Sequence, residues 1–285
     1  RLEASFVTTS DLRPEQPFDL ALLNIVWWPD ARRGAELIAL AAAHVRPGGI
    51  IAVGGGKNAG MGGAERDLTA LVGPCSVMIY KKGHRVLAAE RPAAWTDPAR
   101  EPQHSTITVH GVTLTIEHSA GVFADGNLDP ATAMLLEALE VPEGAEVLDL
   151  GCGAGMIALV IKRLVPSATL TLVDSSVVAV ALAERNLERN GVAGRVLASD
   201  GVAAVAGQQF DLVVSNPPFH VGRARTDVIG RRFIAEAHSV LRPGGALVLV
   251  VNRFLRYEPD IQAAFGNGRE LAGNDSYKVL AAERA

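Results

Sequence analysis

The 285 residues are 48% apolar and include 29 glycines and 15 prolines, a balance that excludes a disordered or fibrous protein and leaves room for two α/β domains. A net charge of −4 excludes a global basic field, so any nucleic-acid contact must rest on local patches. Cys75 and Cys152 are too few for a disulfide scaffold or a cysteine-based zinc site, the histidines show no ligand spacing, and no apolar run approaches bilayer length. A cytoplasmic protein with no metal and no membrane partner is expected.

The first predicted element is an apolar strand, Phe18 to Asn24. An amphipathic helix follows from Ala31 to Val45, with Leu37, Leu40 and Ala41 on one face. Arg46-Pro47-Gly48-Gly49 stops it, and Ile50 to Val53 forms the next strand. Gly54-Gly55-Gly56, with Gly60, Gly62 and Gly63, reads as a loop rather than a phosphate cradle, because no Gly-Lys-Ser/Thr follows. The segment closes on Val86-Leu87-Ala88-Ala89-Glu90-Arg91. Residues 93–106, with Pro98 and Pro102, read as a linker between a domain over 1–92 and another over 107–285. Ile107 to Glu117 alternates around His110-Gly111, which predicts a hairpin, and Asp129-Pro130 opens a helix over Ala131 to Leu139.

Glu146 to Leu150 is a short buried strand running directly into Gly151-Cys152-Gly153-Ala154-Gly155, and a helix from Met156 to Leu164 starts where the glycines end. Such a loop permits positive φ and close approach of backbone to ligand. The next strand, Ala168 to Val173, ends in Asp174, an acid placed to hold two ribose hydroxyls. A helix from Ser176 to Asn190 stops at Gly191, and the strand Arg195 to Ser199 ends in Asp200, placed to accept from an adenine amino group. Either acid alone is more commonly a helix cap; acids at successive strand ends beside a glycine loop favour a ligand.

The strand Phe210 to Ser215 ends in Asn216-Pro217-Pro218-Phe219. Two prolines stop a strand and fix an amide oxygen, a carbonyl and an aromatic face at its C-terminal edge, where α/β sheets bind ligands. That array suits a planar group bearing an amino nitrogen, such as a nucleobase; the tetrapeptide alone reads equally as a strand-ending turn with a core phenylalanine. Beyond it, Gly222 to Arg232 holds Arg223, Arg225, Arg231 and Arg232 against Asp227 alone, which reads either as a phosphate-contacting rim or as a solvated loop and helix start. His220 reads as a contact to phosphate or base, or as a structural loop histidine.

A helix with Phe233, Ile234, Ala237 and Leu241 then ends at Arg242-Pro243-Gly244-Gly245, Ala246 to Val251 is a strand, and the chain closes on Val279-Leu280-Ala281-Ala282-Glu283-Arg284. Phe-Asp-Leu, Arg-Pro-Gly-Gly and Val-Leu-Ala-Ala-Glu-Arg therefore recur in the same order, the mark of a duplication at domain scale. The first copy lacks the glycine loop and the Pro-Pro-Phe.

Asp149 to Gly155, Asp174, Asp200 and Asn216 to Phe219 resemble the motif series of class I S-adenosylmethionine-dependent methyltransferases acting on amino nitrogens. Gly121-Val122-Phe123 with Leu128-Asp129, His220, Asn252-Arg253-Phe254-Leu255, Tyr257-Glu258 and the tandem layout resemble the ribosomal RNA guanine-N2 methyltransferases, particularly the small-subunit methyltransferase C family and its large-subunit relatives. The resemblance implies tandem Rossmann-like α/β domains around a mostly parallel seven-stranded sheet, the first degenerate and continuing before Arg1. It also implies S-adenosyl-L-methionine held by Asp149, Gly151, Gly153, Gly155, Asp174, Ser175, Asp200, Gly201 and Asn216. Chemistry falls to Asn216, Pro217 and Phe219, and contact with ribosomal RNA or the ribosomal subunit to Pro218, His220, Arg223, Arg225 and Arg231. The small-subunit 16S RNA is the favoured target. Rival readings are an amino methyltransferase on 23S guanine, DNA adenine or protein glutamine, a nicotinamide-linked oxidoreductase, and a non-catalytic RNA-binding factor.

Overall fold

A computed structural model describes residues 16–24, 31–56, 60–98, 102–119, 122, 127–218, 220–221, 224–225 and 227–285 (for 31–32, 220–221 and 224–225, the backbone only). The chain divides into two compact units, one over Asp11–Glu101 and one built on Pro102–Ala285.

The first unit runs β1 (Phe18–Asn24), α1 (Ala31–His44), β2 (Val45–Gly56), α2 (Met61–Leu71), β3 (Cys75–Lys81) and β4 (His84–Glu90). Its sheet has the order β1-β2-β4-β3, with β1 and β2 parallel and the other pairs antiparallel. Ile38, Ile51, Met61, Leu68 and Leu87 fill a wholly apolar core between helices and sheet. Trp95 packs against this core and donates from Nε1 to the Leu71 carbonyl at 2.7 Å.

The second unit opens with the hairpin β5 (Gln103–Val109) and β6 (Val112–His118), then α3 (Pro130–Ala138), β7 (Glu146–Leu150), α4 (Met156–Leu164), β8 (Thr169–Asp174), α5 (Val177–Arg189) and β9 (Arg195–Ala198). After a short helical turn at Ala203–Val205 come β10 (Phe210–Ser215), the two-residue strands β11 (His220–Val221) and β12 (Ala224–Arg225), α6 (Val228–Val240), β13 (Leu241–Asn252), α7 (Glu258–Phe265), β14 (Arg269–Gly273) and β15 (Tyr277–Glu283). The seven-stranded sheet has the order β14-β15-β13-β10-β7-β8-β9; β13 through β9 run parallel and β15 runs against them. Its central strands are near-continuous apolar runs because helices cover both faces, giving two buried clusters, one on each side. The β5–β6 hairpin docks on α5 through Asn186 and Asn190, one helical turn apart. The wholly buried Asn186 accepts from Glu117 N at 2.7 Å and donates to the carbonyls of Glu117 and Ala154, both at 3.0 Å. Asn190 accepts from Thr115 N at 3.2 Å and donates to its carbonyl at 2.9 Å.

The six elements of the first unit recur as β10, α6, β13, α7, β14 and β15, with the same strand neighbours and directions. The register repeats in detail. Phe18 pairs Val45 and Leu20 pairs Ile50 across an irregularity; Phe210 pairs Leu241 and Leu212 pairs Ala246 across the same one. In both, the glycine pair of Arg-Pro-Gly-Gly exchanges hydrogen bonds with the closing arginine: Gly48 N donates to Arg91 O and Arg91 N to Gly49 O, both at 2.9 Å, as Gly244 N donates to Arg284 O at 2.6 Å and Arg284 N to Gly245 O at 2.8 Å. A Cβ at Gly49 would stand 2.8 Å from Asp19 O and one at Gly245 3.0 Å from Phe210 O, so glycine is required at each. Arg46 and Arg242 reach Asp19 and Asp211 on the neighbouring strands, both at 2.6 Å.

These contacts correct three expectations. Arg-Pro-Gly-Gly is a bulged entry inside β2 and β13 rather than a separator before them. Gly54, Gly55 and Gly56 are not a loop; they pair with Val86, Arg85 and His84 of β4. The hairpin begins at Gln103, four residues before the expected Ile107, because Gln103 to Thr106 find partners on β6 that composition does not reveal.

Candidate functional site

Strand ends β7, β8, β9 and β10 lie along one edge of the parallel sheet, as the sequence pattern demands. Leaving β7, Gly151 and Gly153 adopt φ of 77° and 54°, and Gly155 caps α4 at φ 80°. A Cβ on Gly155 would press on Leu172, Ala183 and Leu187 at 3.2–3.3 Å, so that glycine seats α4 against β8 and α5. Among the described residues, a Cβ on Gly153 would meet nothing within 4 Å. The loop there faces open space.

The loop amides turn inward. Gly151 and Cys152 donate to the Val173 carbonyl at 2.9 and 3.0 Å, and Gly153 donates to Asp174 Oδ2 at 2.9 Å. A pyrophosphate cradle needs such amides aimed at the ligand, so this loop does not suit a dinucleotide. Asp174 also accepts from Ser176 N at 2.8 Å through Oδ1, which ties the loop to the start of α5; Ser175 between them is exposed.

Asp149 is 1% exposed, and its Oδ2 accepts from Ala158 N at 3.3 Å. Its Oδ1 is buried and, among the described residues, has no hydrogen-bond partner. Burial pushes its pKa up to about 7, with Asp174 adding and the Ala158 N–H opposing. The same burial, with the two carboxylates, pushes the Cys152 thiol well above its ordinary value, so Cys152 is no nucleophile. Asp200 is exposed and accepts from Arg232 Nη1 at 2.8 Å. Gly201 after it is buried, and a side chain there would collide with the Glu236 carboxylate.

At the end of β10, Ser215 Oγ donates to the Leu150 carbonyl at 2.7 Å and locks this strand end to that of β7. Asn216 Nδ2 donates to Asp129 Oδ2 at 3.2 Å and to Thr132 Oγ1 at 3.0 Å. Asp129 is the N-cap of α3 and accepts from Thr132 N at 3.0 Å, so one short helix start both caps itself and orients the asparagine. A carboxylate only accepts, which fixes the amide's orientation: nitrogen toward α3, with Oδ1 the acceptor available to a ligand. Asn216 and Pro217 line a concave site of about 130 Å³ together with Asp129, Asn252, Leu255 and Tyr277. The residue pattern missed Asp129, Asn252 and Tyr277 as pocket residues; Asp129 had a signal, its place as N-cap of α3, while the others arrive through the β13–β15 pairing of Asn252 with Tyr277.

Pro218 is exposed beside the buried Pro217. Phe219 and Arg223 lie outside the described residues, and His220 and Arg225 are paired across the β11–β12 ladder by their backbones. Arg231 is held by Asp227 at 2.8 Å and by Asp260 of α7, while Arg232 spans Asp200 and Glu236. Arg231 and Arg232 are thus each paired with one acid four residues away and one distant in sequence. Tyr257, buried over Gly230, donates to the Asp227 carbonyl at 3.2 Å, and burial, with Asp227 nearby, pushes its pKa up to about 12.

The family model of the methyltransferase small domain matches residues 113–281. The chain is 36% identical over 270 residues to a ribosomal RNA small subunit methyltransferase C of Shewanella amazonensis, covering 94% of this chain and 78% of that protein. It is 31% identical over 295 residues to one of Pseudomonas aeruginosa, covering 100% of this chain and 86% of that protein. Among solved structures, the 16S rRNA N2 methyltransferase of T. thermophilus, in complex with AdoMet and guanosine, superposes with a TM-score of 0.85 at 34% identity, covering 94% of this chain and 74% of that one.

Proposed function

The chain belongs to the ribosomal RNA small subunit methyltransferase C family, and on that premise we propose that it transfers a methyl group from S-adenosyl-L-methionine to the exocyclic N2 amine of a guanine in ribosomal RNA, 16S being the favoured RNA. The observation that carries the site assignment is the Asn216 amide, whose nitrogen is committed to Asp129 and Thr132 so that its oxygen is presented at the pocket.

The residues at the β7 and β8 ends fit the cofactor. Gly153 opens onto free space, Asp174 has acceptor capacity for hydroxyls beyond its two backbone donors, and the unpartnered buried Oδ1 of Asp149 suits a ligand carrying positive charge. Asp149, Gly151, Gly153, Gly155, Asp174 and Ser175 would hold it, with Asp200 and Gly201 on the adenine side. When bound, the sulfonium supplies an electrophilic methyl. The protein's part is positioning and electrostatics. Asn216 Oδ1 and the Pro217 carbonyl accept the two hydrogens of the guanine amine, and these bonds strengthen as the nitrogen pyramidalises and its protons gain charge. Phe219 stacks on the base, which must leave its helix to reach the site. Pro218, His220 and the arginines from Arg223 to Arg231 flank the approaching strand.

The first unit is read as a degenerate copy of the same domain. It shares the strand order, the bulged Arg-Pro-Gly-Gly and the arginine clamp of the second, and Asn24 stands where Asn216 does, yet Ile25-Val26-Trp27 follow it in place of Pro217-Pro218-Phe219. The test is kinetic. Asn216→Ala should lower turnover by about 2.7–4 kcal/mol of barrier while leaving cofactor affinity nearly intact, and Asn24→Ala should change neither. Wild-type turnover in Asn216→Ala, with N2-methylguanosine as product, would remove Asn216 from the chemistry.

A further inference from the structure

We propose that the tip of the β3–β4 hairpin in the first unit is a contact surface for the phosphate backbone of the RNA, a reading that rests on the ribosomal RNA substrate proposed above. From Cys75 to Ala89 the chain carries Lys81, Lys82 and Arg85 with His84 and no acid, in a protein whose net charge is −4. Lys81, Lys82 and His84 are exposed at the tip, and among the described residues neither lysine ammonium meets a carboxylate. Arg85 lies 5.5 Å over the Tyr80 ring and 4.0 Å from Glu65, and Tyr80 is itself 59% exposed. Two unpaired cations beside an exposed aromatic ring are the combination that follows a nucleic-acid strand: charge for phosphate, a π-face for a base.

The backbone argues that the charge is placed rather than incidental. Lys82 and Gly83 have φ of 50° and 77°, the pair of positive values that a type I′ two-residue turn requires. Asparagine or glycine is the low-cost occupant of the first position, and a lysine there sacrifices stability. The His84 ring Nδ1 braces the turn by hydrogen bonding to the Lys82 carbonyl at 3.1 Å. The matching turn of the second unit differs in kind. Asn274 closes it by accepting from Ser276 N and Tyr277 N, both at 2.8 Å, Asp275 makes it acidic, and Tyr277 lines the pocket. One copy of the hairpin builds the pocket, and the other presents cations.

The experiment uses the full chain carrying Lys81→Gln and Lys82→Asn together, asparagine being chosen because it tolerates positive φ. Binding of protein-free ribosomal RNA is titrated across salt concentrations, and methylation kinetics are measured alongside. The variant should flatten the slope of log K against log salt by about 1.4–1.8 and raise KM for RNA about tenfold at 0.1 M salt. The maximal rate, cofactor affinity and thermal midpoint should be unchanged. An unchanged slope and KM would overturn the surface. So would a defect seen only with assembled subunits and absent on protein-free RNA, which would assign the hairpin to a protein partner. The predicted slope difference between wild type and variant, with no N2-methylguanosine formed by the wild-type chain, would instead overturn the functional reading and leave the surface standing.

Discussion

The two units share the same six-element scaffold, and their interiors differ. Among the described residues every buried polar side chain, from Glu117 and Asp149 to Ser215 and Lys278, lies in the second unit, while the core of the first is apolar throughout. Burying polar groups costs free energy unless each finds a partner. The second unit bears that cost at its strand ends, where Ser215 bonds to Leu150 and Asp149 keeps an oxygen unpartnered. The first unit has no such buried polar side chain among its described residues.

The largest effect that would sharpen this contrast comes from Asp149. A carboxyl whose folded pKa is about 7 against an ordinary 3.8 favours the protonated folded state, so the cofactor-free protein should lose stability as pH rises from about 4 to 7. The loss should reach about 4 kcal/mol at most, and Asp149→Asn should flatten it. Urea unfolding of both proteins at several pH values is the check; parallel profiles would return Asp149 to an ordinary carboxylate. A smaller effect comes from the duplicated ion pairs. Asp19 is an exposed partner of Arg46, so Asp19→Ala should cost under about 1 kcal/mol. Asp211 is held by Arg242 and also accepts from Glu146 N at 2.8 Å, so Asp211→Ala should cost about 1–2 kcal/mol. Although burial pulls its pKa up, the Arg242 and Glu146 hydrogen bonds outweigh it and hold it below 3.8, so this contribution is present above that value and lost as pH falls. Equal costs for the two substitutions would mean that the second unit gains nothing from tying β10 to β7.

Much of this was legible in the chain itself because duplication and strand ends are local signals. Phe-Asp-Leu, Arg-Pro-Gly-Gly and Val-Leu-Ala-Ala-Glu-Arg mark equivalent points, Asp174, Asp200 and Asn216 each follow a short strand, and Asp149 stands two residues before Gly151 of the glycine loop. What escaped was whatever the topology brings from afar. Thr132 orients Asn216 from 84 residues away, and Asp260 meets Arg231 across 29. No periodicity carries such pairings. Arg-Pro-Gly-Gly looked like punctuation, since glycine and proline usually end elements. Its role as a bulge comes from the neighbouring strand, whose carbonyls leave no room for a Cβ.

The claim that one scaffold serves twice but binds once is tested most directly by calorimetric titration of the full chain with S-adenosyl-L-methionine. The proposed function predicts one site per chain, weakened by about 1–3 kcal/mol in Asp174→Ala, the cost of stranding hydrogen-bonding groups. Two equivalent sites, or one site whose affinity is untouched by Asp174→Ala, would contradict it.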